Sequence, residues 1–164
     1  MPDLDLGDFA TALDDTMYVV TAASGGRRAG CLVGFASPCS IRPPRFVVWL
    51  STVNHTHGVA REAHHLTVHV LEREQRALAE LFGGETGDRV DKFARVAWRP
   101  GHGGSPVLSD VRVWFTGRVE ARLPGGDHEG FLLAPVEQAE SVGEPPTAPL
   151  RYGDVRDLSA GHPA

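Results

Sequence analysis

Apolar and polar positions along the chain fall into stretches of period two and stretches of helical spacing. Leu66, Val68 and Val70 alternate with Thr67 and His69, the mark of a strand with one face inward. Met17-Tyr18-Val19-Val20-Thr21-Ala22-Ala23 is rich in strand formers and runs into Ser24-Gly25-Gly26, a turn. A second strand is predicted from Arg28 to about Phe35. Its glycines, Gly30 and Gly34, weaken a plain strand but permit bulges or close approach of a ligand. Pro43-Pro44 breaks the chain, and residues 45–50 follow as an almost continuous apolar strand, the kind buried on both faces. Residues 51–54 read as a turn and cap, with Asn54 the N-cap of a short helix over 55–63. Residues 72–82 form the clearest helix, with Leu78, Leu81 and Phe82 on its apolar face and Gly83-Gly84 ending it. Shorter helices are expected over 8–15, from Phe9, Ala12 and Leu13, and around Val90 and Phe93. Two long strands, 107–123 and 128–139, meet at Pro124-Gly125-Gly126. The Pro-rich stretch 140–149 reads as irregular, and 150–158 as a last strand. The pattern is mainly β, with a few helices, and is consistent with a barrel.

Composition narrows the class. Of 164 residues, 41% are hydrophobic and 23% charged, enough for an ordinary core and too apolar for a disordered chain. The net charge of −5, with only short basic stretches at Arg27-Arg28 and Arg42 to Arg45, gives no footprint for nucleic acid. No apolar run approaches the ~20 residues that span a bilayer. Met1-Pro2-Asp3-Leu4-Asp5 lacks the basic and apolar regions of a signal peptide, so a cytoplasmic location is expected.

Candidate chemistry is mostly excluded by spacing. The histidines, 8 in all, include His55 and His57, His64 and His65, and His65 and His69, but form no HExxH and no Cys/His zinc pattern. No metal site is expected, and these histidines read as surface or partly buried polar residues. Cys31 and Cys39 make no disulfide framework and read as reduced, buried, structural thiols. There is no GxSxG elbow, P-loop or GxGxxG after a strand.

The order of the remaining features carries a resemblance. Tyr18-Val19-Val20-Thr21 leads into Gly30-Cys31-Leu32-Val33-Gly34-Phe35-Ala36-Ser37, then Ser40-Ile41-Arg42-Pro43-Pro44 and Phe46-Val47-Val48-Trp49-Leu50-Ser51. Gln75 to Phe82, Gly126-Asp127-His128 and Pro149-Leu150-Arg151-Tyr152 follow in that order. Over 16–158 the chain resembles the flavin reductase-like family, the FMN-binding split β-barrels, with a helical lead over 1–15 and a tail over 159–164. The resemblance implies a six-stranded Greek-key split β-barrel with flanking short helices, acting as a homodimer with FMN in a groove at the dimer interface. It implies that Leu32, Val33, Gly34, Phe35, Ala36 and Ser37 line the isoalloxazine. It implies that Leu50, Ser51, Asn54 and Thr56 run past the ring toward the phosphate, and that His128 comes near the ring and the nicotinamide. The implied activity is NAD(P)H-dependent flavin reduction, with FMN (FAD the alternative) as cofactor and NADH or NADPH as co-substrate, and a monooxygenase as the user of reduced flavin. The alternatives are a non-catalytic flavin-binding module or electron carrier, and more remotely a deazaflavin or haem on the same barrel.

The residues fit that chemistry. A polar pyrimidine edge wants main-chain N–H and C=O groups, which a glycine-containing strand brings close. Ser51, Asn54 and Thr56 stand where a strand gives way to a helix and can offer hydroxyls and N–H donors to a phosphate; capping alone would equally explain them. Arg61 and Arg89 are the cationic candidates. His128 either orients nicotinamide at the flavin or hydrogen-bonds within its hairpin turn. The chain departs from the family where Leu32, Gly34 and Phe35 replace usual hydroxyl or amide residues, so Leu32 and Phe35 are expected to pack the ring. Arg42 replaces a frequent acid before Pro-Pro, and either meets a phosphate or is solvated.

Overall fold

The structure, a computed structural model, describes residues 4–84, 91–140 and 148–158. Strand β1 (Tyr18–Ser24) turns through Gly25 and Gly26, at φ 56° and 77°, into β2 (Arg27–Val33). A two-residue hairpin loop of this hand needs positive φ at both positions, which glycine adopts without strain. β3 (Ala36–Ile41) and β4 (Pro44–Ser51) form the next hairpin, around a cis Arg42–Pro43 bond. Then come β5 (His65–Val70), β6 (Trp98–Pro100), β7 (Pro106–Leu108), β8 (Val113–Pro124) and β9 (His128–Gln138). Helices α1 (Gly7–Leu13), α2 (His55–Ala60), α3 (Arg76–Gly84) and α4 (Tyr152–Val155) flank them. None of these helices is long and apolar enough to cross a membrane.

The principal sheet is antiparallel throughout, in the order β2-β1-β5-β8-β9-β4-β3, with β6 and β7 pairing apart. Its two edges, β2 and β3, are consecutive in sequence, separated by Gly34 and Phe35 alone. Three peptide steps reach at most about 11 Å. The sheet must therefore curl until its edges nearly meet, and the chain crosses the seam at Gly34-Phe35.

Curling explains the two cores. Val20, Ala22, Val48, Leu50, Leu66, Val68, Phe131 and Leu133 fill the inside of the curl. Val19, on the opposite face of β1, joins Met17, Leu71, Phe82, Phe93, Leu150 and Val155 in a second cluster beneath α3 and α4. A strand covered on both faces reads as a continuous apolar run, as 17–23 does.

Several expectations are corrected. The principal sheet has seven strands, not six. The additional edge is β3, whose polar sequence gave no strand pattern but which pairs with β4 along its length. The strand expected over 150–158 is only an isolated bridge, Thr16 to Arg151, followed by helix α4. There the Arg151 N–H donates to Asp154 Oδ2 at 3.0 Å, closing a capping box. The strand expected over 107–123 is interrupted between β7 and β8, where Val111 N–H donates to the Leu108 carbonyl in a turn. The helix expected from 72 starts at Arg76, because Glu72 bridges to Pro149 and its N–H donates to Gln75 Oε1 at 3.0 Å. The leading helix ends at Leu13, since Asp14 turns left-handed at φ 45°. His69 is fully buried and Cys39 is exposed, each opposite to expectation. Phe93 lies in a 3₁₀ turn, Lys92–Ala94; Val90, Arg89, the tail 159–164 and 141–147 of the Pro-rich stretch lie outside the described residues.

Candidate functional site

The seam opens into a cleft of about 320 Å³. One wall is β2 and the crossing itself, Cys31, Leu32, Val33, Gly34 and Phe35; the next is the end of β4, Trp49, Leu50 and Ser51, continuing to Asn54. His128 enters from the β8–β9 turn, and Tyr152, Val155, Arg156 and Leu158 come from the C-terminal segment.

Local bonding fixes this rim. Asn54 is the N-cap of α2, its Oδ1 accepting the Thr56 N–H at 2.8 Å. The strand register sets Ser51 directly opposite His128. Thr52 ties the loop after β4 to the β8–β9 turn, its N–H and hydroxyl both donating to the Asp127 carbonyl, at 2.9 and 3.1 Å. Trp49 packs against two glycines: a Cβ on Gly125 or Gly130 would come within 2.6 or 2.7 Å of its ring. A Cβ on Gly83 would fall 2.8 Å from Leu32 Cδ2, so Leu32 lies against the end of α3 while lining the cleft.

The chemistry of the lining is distinctive. Ser51 is 6% exposed, and its buried Oγ has no hydrogen-bond partner among the described residues. A buried hydroxyl left unpaired is costly, so such an atom is a place where a ligand group fits. His128 Nδ1 lies 2.7 Å from Asp127 Oδ1, and its ring is 5.0 Å from that of Phe35, centroid to centroid. Phe35 itself is 54% exposed at the mouth. Among the described residues no carboxylate lines the cleft, and Arg156 is the one Lys or Arg side chain in its lining. Apolar floor, main-chain groups at a sheet edge, a buried unpaired hydroxyl and a cation suit a flat, anionic aromatic ligand.

Of the residues anticipated from sequence, the cleft unites Leu32, Val33, Gly34, Phe35, Leu50, Ser51, Asn54 and His128. Ala36 and Ser37 are not in its lining; they have entered β3, opposite Val48 and Val47. Thr56 turns into the core, where its hydroxyl bonds the Cys31 thiol. Burial pushes that thiol up to about 11, against the Thr56 bond and the Lys92 charge. Arg61 lines a separate shallow depression with His64, Glu120 and Arg122; Arg89 lies outside the described residues. Among the described residues no group of three or more His, Cys, Asp or Glu could hold a metal. Sequence reasoning missed Trp49, Tyr152 and Arg156. The first was hidden in an apolar strand, and the other two in a segment read as β.

Fold and cleft together define a class: a curled antiparallel sheet with a cleft at its seam suited to a planar anionic ligand. The profile of the flavin reductase like domain matches residues 11–159, and the chain belongs to that family. It is 32% identical over 140 residues to the reductase component of a 4-nitrophenol 4-monooxygenase/4-nitrocatechol 2-monooxygenase from Rhodococcus opacus, covering 85% of this chain and 71% of that one. It is 30% identical over 133 residues to an FMN reductase (NADH) of Methylorubrum extorquens, covering 80% of this chain and 64% of the relative. Among solved structures, a flavin reductase domain protein from Arthrobacter superposes with TM-score 0.76 at 24% identity, covering 90% of this chain and 91% of that one. An FMN-binding protein from Thermus thermophilus gives TM-score 0.77 at 24% identity, covering 85% and 78%. At these identities the structural likeness carries the fold alone.

Proposed function

We propose that the chain is an NAD(P)H-dependent flavin reductase that holds FMN in the seam cleft and supplies reduced flavin to a monooxygenase. The observation that carries this is the buried Ser51 hydroxyl, without a partner among the described residues, in a cleft whose described lining includes no carboxylate. The names of the relatives, an NADH-dependent FMN reductase and a monooxygenase reductase component, favour the same reading.

When bound, FMN supplies the two-electron acceptor; the chain supplies position and polarity. Main-chain groups of Leu32 to Gly34 meet the polar edge of the ring, and the Leu32, Trp49 and Leu50 side chains meet its apolar parts. The Ser51 hydroxyl and the Asn54 amide serve the ribityl phosphate. His128, held by Asp127, orients the nicotinamide against the ring. It moves no proton, because hydride transfer needs mainly close approach, about 3–3.5 Å between reacting atoms. Phe35 closes the mouth against water. Ala36, Ser37 and Thr56 have no direct part. The flavin-binding domain is 16–158, the location is cytoplasmic, and the working form is a homodimer with the cleft in the groove between copies. The exposed apolar side chains Leu6, Phe9, Leu13, Ile41 and Leu123 favour such an association.

Purified protein mixed with FMN and NADH or NADPH is expected to oxidise the nucleotide in a flavin-dependent way. If neither donor is oxidised, the reductase reading is wrong, and FMN binding without turnover would leave a flavin-binding module. Light scattering at micromolar concentration is expected to report a dimer, whose interface should exceed about 1,000 Å²; a monomer would refute the shared groove.

A further inference from the structure

We propose that Arg156 is an anion-binding residue of the cleft, taking a phosphate group of a nucleotide; this rests on the flavin-reductase reading. Arg156 stands just past α4, at its C-cap, and among the described residues it is the one guanidinium in a lining that includes no carboxylate. The acids beside it in sequence are already engaged. Asp154 accepts from the Arg151 N–H at 3.0 Å and lies 3.6 Å from Arg73 Nε. Asp157 takes two bonds from Arg76 Nη2, at 3.1 and 3.0 Å. Arg76 also donates to the Asp154 carbonyl, so the same bonds that neutralise the acids fasten α4 to α3. On the other side of α4, the Gly153 N–H donates to Asp14 Oδ1 at 2.8 Å and Arg151 Nη1 to the Asp14 carbonyl at 3.2 Å. The segment is anchored from both flanks, and Arg156 makes no ion pair among the described residues.

A planar guanidinium matches phosphate oxygens in a two-pronged fashion, and a site without competing carboxylates leaves that attraction undiminished. Arg156 belongs to a different wall from Ser51 and Asn54. With the flavin phosphate beside Asn54, Arg156 is free for the diphosphate of the nicotinamide dinucleotide; the flavin's own phosphate is the other source of the same chemistry.

Riboflavin lacks the phosphate of FMN, so the pair reads the flavin arm, while NADH kinetics read the other. In an Arg156→Met variant, a rise of about tenfold in KM for NADH at unchanged kcat, with both flavin affinities unchanged, assigns the dinucleotide. A loss of about tenfold in FMN affinity by fluorescence titration, with riboflavin unchanged, assigns the flavin phosphate. Arg156→Lys, which keeps the charge but not the fork, should fall between the two proteins. If FMN, riboflavin and NADH constants all stay within about twofold of the parent, or if riboflavin weakens as much as FMN, the proposal is overturned. Failure of the parent protein to bind either flavin would instead sink the flavin reading beneath it.

Discussion

Replacing Ser51 by alanine should stabilise the flavin-free protein and weaken its hold on FMN, opposite effects from one missing atom. Ser51 closes β4 at 6% exposure, beside His128 in the ladder, with its Oγ buried and unpaired. An unmet buried hydroxyl costs about 1–3 kcal/mol, and alanine removes that cost while leaving a void of only one atom. The lower figure corresponds to a rise of about 2–4 °C in melting temperature for a chain of this size. With FMN bound, the same hydroxyl acquires a partner, worth about 0.5–1.5 kcal/mol, so the variant should bind roughly 2- to 13-fold more weakly. Thermal melts with and without saturating FMN, together with a fluorescence titration, read both effects. The variant should start higher and gain less from flavin. If Ser51→Ala melts below the parent without flavin and binds FMN equally well, Ser51 is a structural residue and the ligand argument built on it fails.

Three further expectations follow from the same packing. Burial lowers His69 to about 4, only partly opposed by its bond to the Val19 carbonyl, and Leu108 N–H donates to Nε2 at 3.0 Å. The folded state thus holds the neutral ring. Its contribution is complete above the ordinary histidine value near 6.5 and is withdrawn as pH falls from there toward 4, on the order of 3 kcal/mol. Urea unfolding should show about 2 kcal/mol of that loss between pH 7 and pH 5, and His69→Gln should flatten it; the same pH dependence in both proteins would contradict the assignment. Gly103→Ala combines φ 71° with a Cβ that would collide with the His65 ring at Nδ1, whereas Gly104→Ala at φ 87° meets open space. The first should cost clearly more than the ~1–2 kcal/mol of left-handed backbone alone, and equal thermal losses would refute the clash. Iodoacetamide should label Cys39 in the native protein and reach Cys31 only in denaturant; labelling of Cys31 in the folded state would show that the core there opens.

What the sequence made legible was whatever the pattern of one segment decides. β1, β4 and β5 were evident because alternation or a continuous apolar run reports burial of one face or both. The Asn54 cap was evident because a side chain bonding two residues ahead is a local matter. β3 was not evident. Ala36-Ser37-Pro38-Cys39-Ser40 has no apolar face, and Pro38 is tolerated because this is a sheet edge. Helix α4 was misread because what holds it, Asp14 and Arg76, lies about 80 residues or more away in the chain. The same distance hid Arg156, while Arg61, at the end of the predicted α2, points into another depression. Thr56 is missing from the lining for a different reason: a residue at a helix start can face the core as readily as a cleft, and here Cys31 claims its hydroxyl.

The glycines of β2 acquire their meaning only from the topology. β2 pairs with β1 on one side and has no ladder partner on the other. Along an edge strand, the N–H and C=O of every second residue face outward. The Gly30 carbonyl is one of these outward groups, since it accepts from the Lys92 ammonium at 3.0 Å. The period of two then sends the main-chain groups of Leu32 the same way, and next those of Gly34, where the chain crosses the seam. Leu32 and Gly34 both line the cleft. In the proposed site a leucine therefore suffices where the family more often has a hydroxyl, because at this position it is the main chain that presents polar groups to the cleft. Gly30 cannot carry a Cβ, which would come 2.8 Å from Phe82 Cε1, so Phe82 packs directly on the strand and holds the wall rigid behind the site. A cleft whose polar face is an edge of main chain can exchange its side chains and keep its ligand, provided the two edges of the sheet remain joined by so short a crossing.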